Sequence, residues 1–293
     1  MRRVYFWILL PCLAALTGCT GETAFAPGNQ LVVVQGYLHA GRQVSDIRLT
    51  STLGLGSRDT LSPPINDAQV QLIKNGICYL LEPVFGKQGY YSFSERILTE
   101  GDCPGGDCPD AELSVETGDV FRLEVFYFDK VATAETTVPP PPVGVAVNPG
   151  VLRVSAGNYH IPGQYSSGGL FAEDTAVAVT VSWQDDGRSM YYMTMSTLEI
   201  NPPKIDPDCP LIRPGEYFSP SITGDHFPIG WSNITHYGRH RIRIYRFGQE
   251  YVDMYLTRNQ DTRDLNEPLT NIDNGLGVFT AVNSVDLYFN VEQ

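Results

Sequence analysis

Basic residues are scarce in this sequence, which has 20 Lys and Arg against 33 Asp and Glu and a formal charge of −13 at pH 7. A phosphate backbone attracts faces rich in Lys and Arg, so it would be repelled by such a chain. We therefore expect no nucleic-acid partner. The acidic exterior can gather divalent cations, but a solvated surface is the simpler interpretation.

Catalytic motifs are also missing. The chain has no Gly-x-Ser-x-Gly and no His-Glu-x-x-His sequence. His236 and His240 are four residues apart, but the segment runs into a predicted strand, so we expect a surface pair and no metal site. The oxygen-rich residues Asp261–Glu267 could hold calcium, although a solvated loop is simpler. We expect no enzyme and no cofactor, but the paired carboxylates of a glycosidase depend on the fold and stay possible.

Long apolar runs are absent except at the N-terminus. Arg2 and Arg3 precede an apolar run from Val4 to Leu16, which ends in Leu16-Thr17-Gly18-Cys19. This pattern predicts a signal peptide over residues 1–18, because the run is too short to span a bilayer. Its last four residues match a lipobox, which predicts acylation of Cys19. An ordinary signal peptide with an incidental cysteine is the alternative.

Acylation of Cys19 would make membrane lipid the first partner of the protein. Diacylglycerol and an amide-linked chain such as palmitate exceed the two chains that stable anchoring needs. No aspartate follows Cys19, which favours the outer membrane over retention at the inner membrane. Whether the protein faces the periplasm or the cell surface stays open.

Cysteines are few, at six. Cys12 leaves with the signal peptide, so four cysteines remain besides Cys19, an even number in an exported protein. Cys103 and Cys108 flank a Pro-Gly-Gly-Asp turn that can bring them within disulfide range. Cys78 and Cys209 form a second candidate pair, which would cross between the domains proposed below. No second pair exists to complete a zinc site with Cys103 and Cys108.

Short apolar or alternating runs between Gly, Pro, Asn and Asp clusters predict a β protein. Asn75-Gly76 lies between the runs Gln69–Lys74 and Ile77–Glu82 and predicts a type I′ hairpin. The other strands predicted in the first half are Gln30–Leu38, Val44–Thr50, Tyr90–Ile97, Val120–Phe128 and Val131–Val138. About seven short strands without a helix predict an antiparallel sandwich.

The second half repeats this pattern. Ala176–Trp183 and Met190–Leu198 flank Asp185-Asp186-Gly187, which predicts a second hairpin, and Trp183 is expected between the sheets. An irregular Pro-rich loop, 201–228, follows. Further strands are predicted at His240–Phe247 and Val285–Val291. Apolar residues at helical spacing in Gln249–Arg258, with Glu250 early, predict one short helix.

The predicted fold class is therefore all-β, with two antiparallel β-sandwich domains and one short helix near the C-terminus. We divide the chain into a signal peptide (1–18), a lipidated tether (19–29), an N-terminal sandwich (30–138), a Pro-rich linker (139–150) and a C-terminal sandwich-like domain (151–293). Pro139–Pro142 set the boundary, because four prolines cannot join a strand ladder and favour an extended spacer.

Several segments resemble a known family. The most specific is Asn271-Ile272-Asp273-Asn274-Gly275-Leu276-Gly277-Val278-Phe279, preceded by Glu267-Pro268. The others are Leu31–Leu38, Asn66–Leu72, Gly89–Tyr91, Val138-Pro139, and Trp183–Gly187 with Tyr191-Tyr192. Together they resemble the Bacteroidota lipoproteins grouped as DUF4249. We interpret the glycine segment as structural, since Gly275 and Gly277 permit positive φ or close backbone approach before Phe279 enters the core.

The resemblance implies an outer-membrane lipoprotein, often encoded near TonB-dependent receptors, with no established activity. We accordingly expect a non-catalytic binding or accessory component of such an uptake system, with a TonB-dependent receptor as a second partner. The alternative is a surface glycan-binding adhesin or a glycan-active enzyme. Aromatic residues that could stack on sugar rings, but that more often form cores, are Tyr90, Tyr91, Tyr191, Tyr192, Tyr217, Phe218 and Trp231.

Overall fold

The computed structural model describes residues 31–45, 47–53, 60–93, 113–154, 177–205, 216–257 and 270–293. In these ranges the chain forms fifteen strands and one α-helix. The strands are β1 Val32–His39, β2 Ile47–Ser51, β3 Gln69–Lys74, β4 Ile77–Pro83, β5 Tyr90–Ser92, β6 Val120–Tyr127, β7 Lys130–Thr137, β8 Val143–Asn148, β9 Val151–Arg153, β10 Val177–Gln184, β11 Tyr191–Thr197, β12 Tyr217–Phe218, β13 His226–Gly230, β14 Gly238–Phe247 and β15 Gly275–Glu292. The helix α1 is Gln249–Thr257. No helix in these ranges is both long and apolar enough to cross a membrane.

The first seven strands wrap around one hydrophobic core. Their order in the sheet is β1-β2-β5-β4-β3-β6-β7, and alternate side chains point inward, as in β6, where Phe121, Leu123 and Val125 are buried. Asn75 and Gly76 take φ values of 48° and 90° between β3 and β4. The predicted type I′ hairpin is therefore confirmed, since both central residues have the positive φ that this turn requires.

The second half is built from two sheets that face each other. One contains β12, β11, β14 and the C-terminal part of β15, and the other is the three-stranded sheet β13-β10-β8. Trp183 from β10 is 4 % exposed and lies in the second core, together with Ile242 and Ile244 of β14. The prediction that Trp183 packs between sheets is confirmed. All-β sandwich architecture with one short helix is confirmed as well.

Strand β15 is shared by both halves. Its first part pairs in parallel with β1, from Val32 opposite Gly275 to His39 opposite Val282. Its second part pairs antiparallel with β14, from Phe247 opposite Val282 to Gly238 opposite Val291. The 18-residue strand begins ten positions before the predicted Val285. Because β15 begins earlier, residues of the predicted second domain lie in the first core.

The glycine segment before Phe279 lets β15 approach β1 closely. Gly277 has φ +104°, and a Cβ placed on it would lie 2.0 Å from the carbonyl oxygen of Val34. A Cβ on Gly275 would lie 2.8 Å from Ile272 Cγ2. Phe279 is then fully buried in the first core. The structural interpretation of this segment is thus confirmed.

Two local predictions differ from the structure. β10 and β11 do not form a hairpin, because β10 pairs with β8 and β13 whereas β11 pairs with β12 and β14. In both strands the buried side chains face the same core, but the two strands belong to opposite sheets. The alternation of apolar and polar residues alone cannot distinguish this arrangement from a hairpin. Strand β8 also lies inside the predicted linker 139–150. Pro139 is buried there, and its carbonyl accepts a hydrogen bond from Asn283 Nδ2 at 2.9 Å.

Candidate functional site

The turn between β10 and β11 is fixed by Asp186. Its Oδ1 accepts hydrogen bonds from the backbone N–H groups of Arg188 at 3.0 Å and Ser189 at 2.8 Å. Its Oδ2 accepts from Ser189 Oγ at 2.9 Å and forms an ion pair with Arg246 of β14. One carboxylate thereby ties the crossing between the two sheets to the end of β14.

Asp186 stays ionised more readily than an ordinary aspartate. Burial acts to raise its pKa, but hydrogen bonds from Arg188 and Ser189 and the charge of Arg246 together lower the pKa below its usual value. Charge-assisted hydrogen bonds of this kind are about twice as strong as neutral ones. These interactions of Asp186 hold the turn in place beside the neighbouring residues.

A cavity of about 590 Å³ lies next to this turn. Three segments separate in sequence form its wall: the β10–β11 turn, the loop before β13 and the start of α1. The polar residues that line the cavity are Asp185, Arg188, Ser189, Thr223 and Gln249, and the apolar ones are Met190 and Val252. Its volume and mixed lining suit a small polar ligand.

Among the residues that line the cavity, Asp185 gives the clearest indication of ligand binding. Its Oδ1 is buried and has no hydrogen-bond partner among the described residues, although a buried carboxylate oxygen normally has one. Arg188 lies on the same wall and is exposed. Arg188 can donate hydrogen bonds to a polar ligand in the cavity. The sequence marks this place only as an Asp-Asp-Gly turn, because the other walls come from distant segments.

The helix α1 is held against the sheet by Glu250. Glu250 Oε1 accepts hydrogen bonds from Thr136 Oγ1 at 2.5 Å and from Thr280 Oγ1 at 2.6 Å. Thr136 Oγ1 in turn accepts from the N–H of Ala281 at 2.9 Å. The predicted helix and its early acidic residue are confirmed. Because Gln249 and Val252 line the cavity, this anchoring also positions one of its walls.

Aromatic side chains fill the space between α1 and β11. Tyr251 stacks on Phe247 with ring centroids 4.5 Å apart, and Tyr192 meets Phe247 edge-on at 5.2 Å. Tyr255 and Ser221 share a short hydroxyl–hydroxyl hydrogen bond. Burial raises the pKa of Tyr192 well above its usual value, so this hydroxyl acts as a neutral group. The cluster packs α1 against β11 and β14.

Most of the cysteines singled out in the sequence lie outside the described residues. Cys19, Cys103, Cys108 and Cys209 are in this group, so acylation and both disulfides stay predictions. Cys78 is described: it is exposed on β4 and has no disulfide partner among the described residues. Burial and then the charge of Glu124 raise the pKa of its thiol. The candidate calcium loop Asp261–Glu267 also lies outside the described residues.

The histidines His236 and His240 do not form the predicted surface pair, because both are buried. His236 is 2 % exposed and His240 4 %. The ring of His240 stacks on Phe289 at 5.1 Å, and its Nδ1 lies 3.1 Å from the Gly238 carbonyl. The strand places His240 on the inner face, where the alternation of β14 puts Ile242 and Ile244. Within the described ranges, no three His, Cys, Asp or Glu side chains come together as a metal site.

The aromatic residues considered for sugar stacking divide between core and surface. Tyr91 and Tyr191 are fully buried, and Trp231 is 9 % exposed within the second core. These three are core residues. Phe218, by contrast, is 66 % exposed on β12. A Trp231 substitution would therefore disturb the fold before it tested any ligand.

One comparison with known proteins shows a family, and it gives no activity. The family described as "Domain of unknown function (DUF4249)" matches residues 22–287. No curated protein matches the chain.

Two solved structures show a weak similarity to this chain. One, of chicken CNTN1 FN1-FN3 domains, is 10% identical and has a TM-score of 0.25, with 89% of this chain and 67% of that chain covered. The other, of domains from titin, is 8% identical and has a TM-score of 0.18, with 90% of this chain and 66% of that chain covered. At these scores neither likeness carries an argument.

Proposed function

We propose, from the premise that the chain belongs to the DUF4249 family, that it is a lipid-anchored, non-catalytic binding protein. In this proposal it is an accessory component of an outer-membrane uptake system of the TonB-dependent receptor type. The observation that carries the binding role is the 590 Å³ cavity with its unpartnered Asp185 oxygen. An unpaired, buried acceptor on a residue that lines a cavity supports a polar ligand for that cavity.

The anchor is supported by the sequence around Cys19. From Cys19 to Gln30 the chain can span at most about 36 Å, at roughly 3.3 Å per residue. The start of β1 would thus stay close to the membrane. A partner in the same membrane is favoured, because shared anchoring raises its effective concentration without any new contact.

The anchor is tested by Cys19→Ser. We expect the precursor to stay uncut by the lipoprotein signal peptidase and the protein to leave the detergent phase in a phase-partition assay. Unchanged partitioning of the variant would overturn the anchor and leave the cavity unaffected.

The partner is tested by photo-crosslinking in intact cells. A benzophenone amino acid replaces Arg188 at the rim of the cavity or, as the matched control, Phe85, an exposed turn residue in the first half. We expect an outer-membrane barrel to be recovered from position 188 and not from position 85. Recovery of no barrel from either position would contradict the accessory role.

The cavity is tested by Asp185→Asn. The variant keeps the size of the side chain but removes its charge, so affinity for a co-purified polar ligand should fall about tenfold or more. Native mass spectrometry of the purified protein measures the bound fraction. Glu82→Gln, on an exposed position of β4, is the matched control. An unchanged bound fraction in Asp185→Asn would remove the cavity from the proposal.

A further inference from the structure

The outer face of β14 carries a row of arginines. The strand alternates, so that His240, Ile242 and Ile244 are buried while Arg239, Arg241 and Arg243 point outward. Outward side chains on one strand repeat about every 6.8 Å, since each residue rises roughly 3.4 Å. Three guanidinium groups therefore follow one line along the sheet, in a chain whose net charge is −13.

Neighbouring segments widen this row into what we call the arginine face: Arg239, Arg241, Arg243, Arg153 and Arg42. Arg153 of β9 lies beside Glu292 of β15 in the parallel ladder. Arg42, just after β1, is exposed. Arg42 and Arg241 are close enough to Asp286 for their charges to help lower its pKa, after the larger effect of the hydrogen bonds from Arg243.

The arginine face holds more positive than negative charge. Arg243 is satisfied by a two-pronged pair with Asp286, at 2.6 Å and 2.7 Å. Arg153 comes no closer than 4.0 Å to Glu292, and both side chains are mostly exposed. Exposed pairs of this kind contribute little. The strand residues of the face thus supply two carboxylates for five guanidinium groups.

Two of these arginines have no anionic partner within the described residues. Arg239 rests on the ring of Tyr288, with its guanidinium carbon 4.6 Å from the ring centroid. Arg241 lies opposite Tyr288 in the ladder and makes no ion pair or hydrogen bond there. Like charges at neighbouring outward positions repel each other. An anion bound between Arg239 and Arg241 would relieve that repulsion.

The groups between the arginines indicate which anion fits. Tyr288, which is 44% exposed, offers an aromatic edge in the middle of the row. Asn290 and Asp286, two positions to either side of it, offer amide and carboxylate acceptors. A row of guanidinium forks suits repeated carboxylates, and the acceptors suit the hydroxyl groups of a saccharide. A lipid surface would need the positive charges but not the acceptors.

We propose that the arginine face is a binding site for an acidic, carboxylate-bearing polysaccharide chain laid along β14. The inference goes beyond the proposed function, because it rests on neither the cavity nor the anchor. It commits to an extended ligand, since the face is an open sheet surface and not a pocket.

The test measures binding of polygalacturonate to the purified full chain in a non-ionic detergent. Wild type is compared with the double variant Arg239→Gln/Arg241→Gln and with Arg122→Gln. Arg122 is an exposed arginine on β6, where it pairs with Glu124 at 3.0 Å. We expect the double variant to bind at least about tenfold more weakly and Arg122→Gln to bind like wild type. Equal losses in both variants, or none in either, would overturn the proposal.

Three further probes separate a polysaccharide from other anions. Neutral dextran should not bind, because it lacks carboxylates. Linear polyphosphate carries dense charge without hydroxyl groups, so Asn290→Leu, which removes an acceptor and keeps the arginines and Tyr288, should weaken polygalacturonate binding and leave polyphosphate binding unchanged. Equal effects on both would show simple charge attraction and overturn the saccharide assignment. Binding to phosphatidylglycerol micelles with none to polygalacturonate would make the face a membrane contact instead.

Discussion

His240 is a titratable side chain buried where an aliphatic residue would also fit. Burial lowers its pKa most, and the charge of His236 lowers it further, while the Gly238 carbonyl and Glu199 act in the opposite direction. Spacing in the sequence drew attention to His236 and His240 as a pair. The signal for a buried His240 was its alternation with Ile242 and Ile244 in the predicted strand, because all three residues lie on one face of β14.

The buried His240 should make the protein less stable in mild acid. Its folded-state pKa is depressed, so the unfolded chain binds the proton more readily once the pH falls below the ordinary histidine value of about 6.5. Stability is therefore fully present above that pH and is lost as the pH drops toward the folded-state pKa. Each unit of depression corresponds to about 1.4 kcal/mol.

The measurement is the free energy of unfolding in guanidinium between about pH 7.5 and pH 5. His240→Phe keeps the stacking on Phe289 and removes the titration, so its stability should fall less steeply with acid. His226→Gln, at an exposed histidine, is the control and should follow wild type. Parallel curves for wild type and His240→Phe would contradict the prediction.

At the scale of elements, local signals predicted most strands but not all of their partners. Asn75-Gly76 specifies its hairpin because two residues with positive φ leave the chain few alternatives. Asp185-Asp186-Gly187 was assigned to a hairpin by the same reasoning, and wrongly. Six residues separate β10 from β11. The hydrogen bonds of Asp186 hold these residues in a turn that leads the chain into the opposite sheet.

The same limit applies to the candidate sites. Alternation displays Arg239, Arg241 and Arg243 in the sequence, so an outward row could have been found from β14 alone. That Tyr288 lies opposite Arg241 depends on the register between β14 and β15, which no local pattern encodes. The cavity is even harder to predict from the sequence, because Asp185, Thr223 and Gln249 come from three separate segments.

The attachment of α1 should depend on Glu250. Glu250→Ala would remove the acceptor for Thr136 and Thr280 and leave two largely buried hydroxyl groups without it, at a cost of about 1–3 kcal/mol. Asp253→Ala is the matched control, because Asp253 is an exposed acidic residue of the same helix that, among the described residues, accepts from Gln249 at 2.8 Å.

Denaturant unfolding and hydrogen exchange of the helix amides measure the effect. Glu250→Ala should lower the unfolding free energy and speed hydrogen exchange in α1. Asp253→Ala should change the unfolding free energy, and the free energy that governs exchange, by no more than about 0.5 kcal/mol. Similar losses in the two variants would mean that Glu250 does not hold the helix.

At the scale of the whole molecule, β15 joins two cores that the sequence presents as separate. Phe279 packs in the first core and Phe289 in the second, ten residues further along the same strand. The parallel pairing of β1 with β15 brings together residues more than two hundred positions apart. No short-range pattern predicts such a contact, although composition and strand spacing predicted sandwich architecture in each half.

The shared strand should make the two halves unfold together. Tryptophan fluorescence reports on the second half, because Trp183 and Trp231 lie in its core and Trp7 belongs to the predicted signal peptide. Far-UV circular dichroism reports on the strands of both halves. The two signals should give one midpoint in guanidinium, as expected for a single cooperative transition.

Leu123→Ala tests this coupling from the first half. Leu123 is 1 % exposed in the first core, so its truncation should cost about 2–5 kcal/mol. If loss of the first half releases β1 from β15, the tryptophan midpoint must fall together with the circular dichroism midpoint. Leu80→Ala removes a leucine that is 53 % exposed on β4 and should move neither by much. A tryptophan midpoint that stays at its wild-type value in Leu123→Ala, while circular dichroism separates into two steps, would show that the halves unfold independently despite the strand they share.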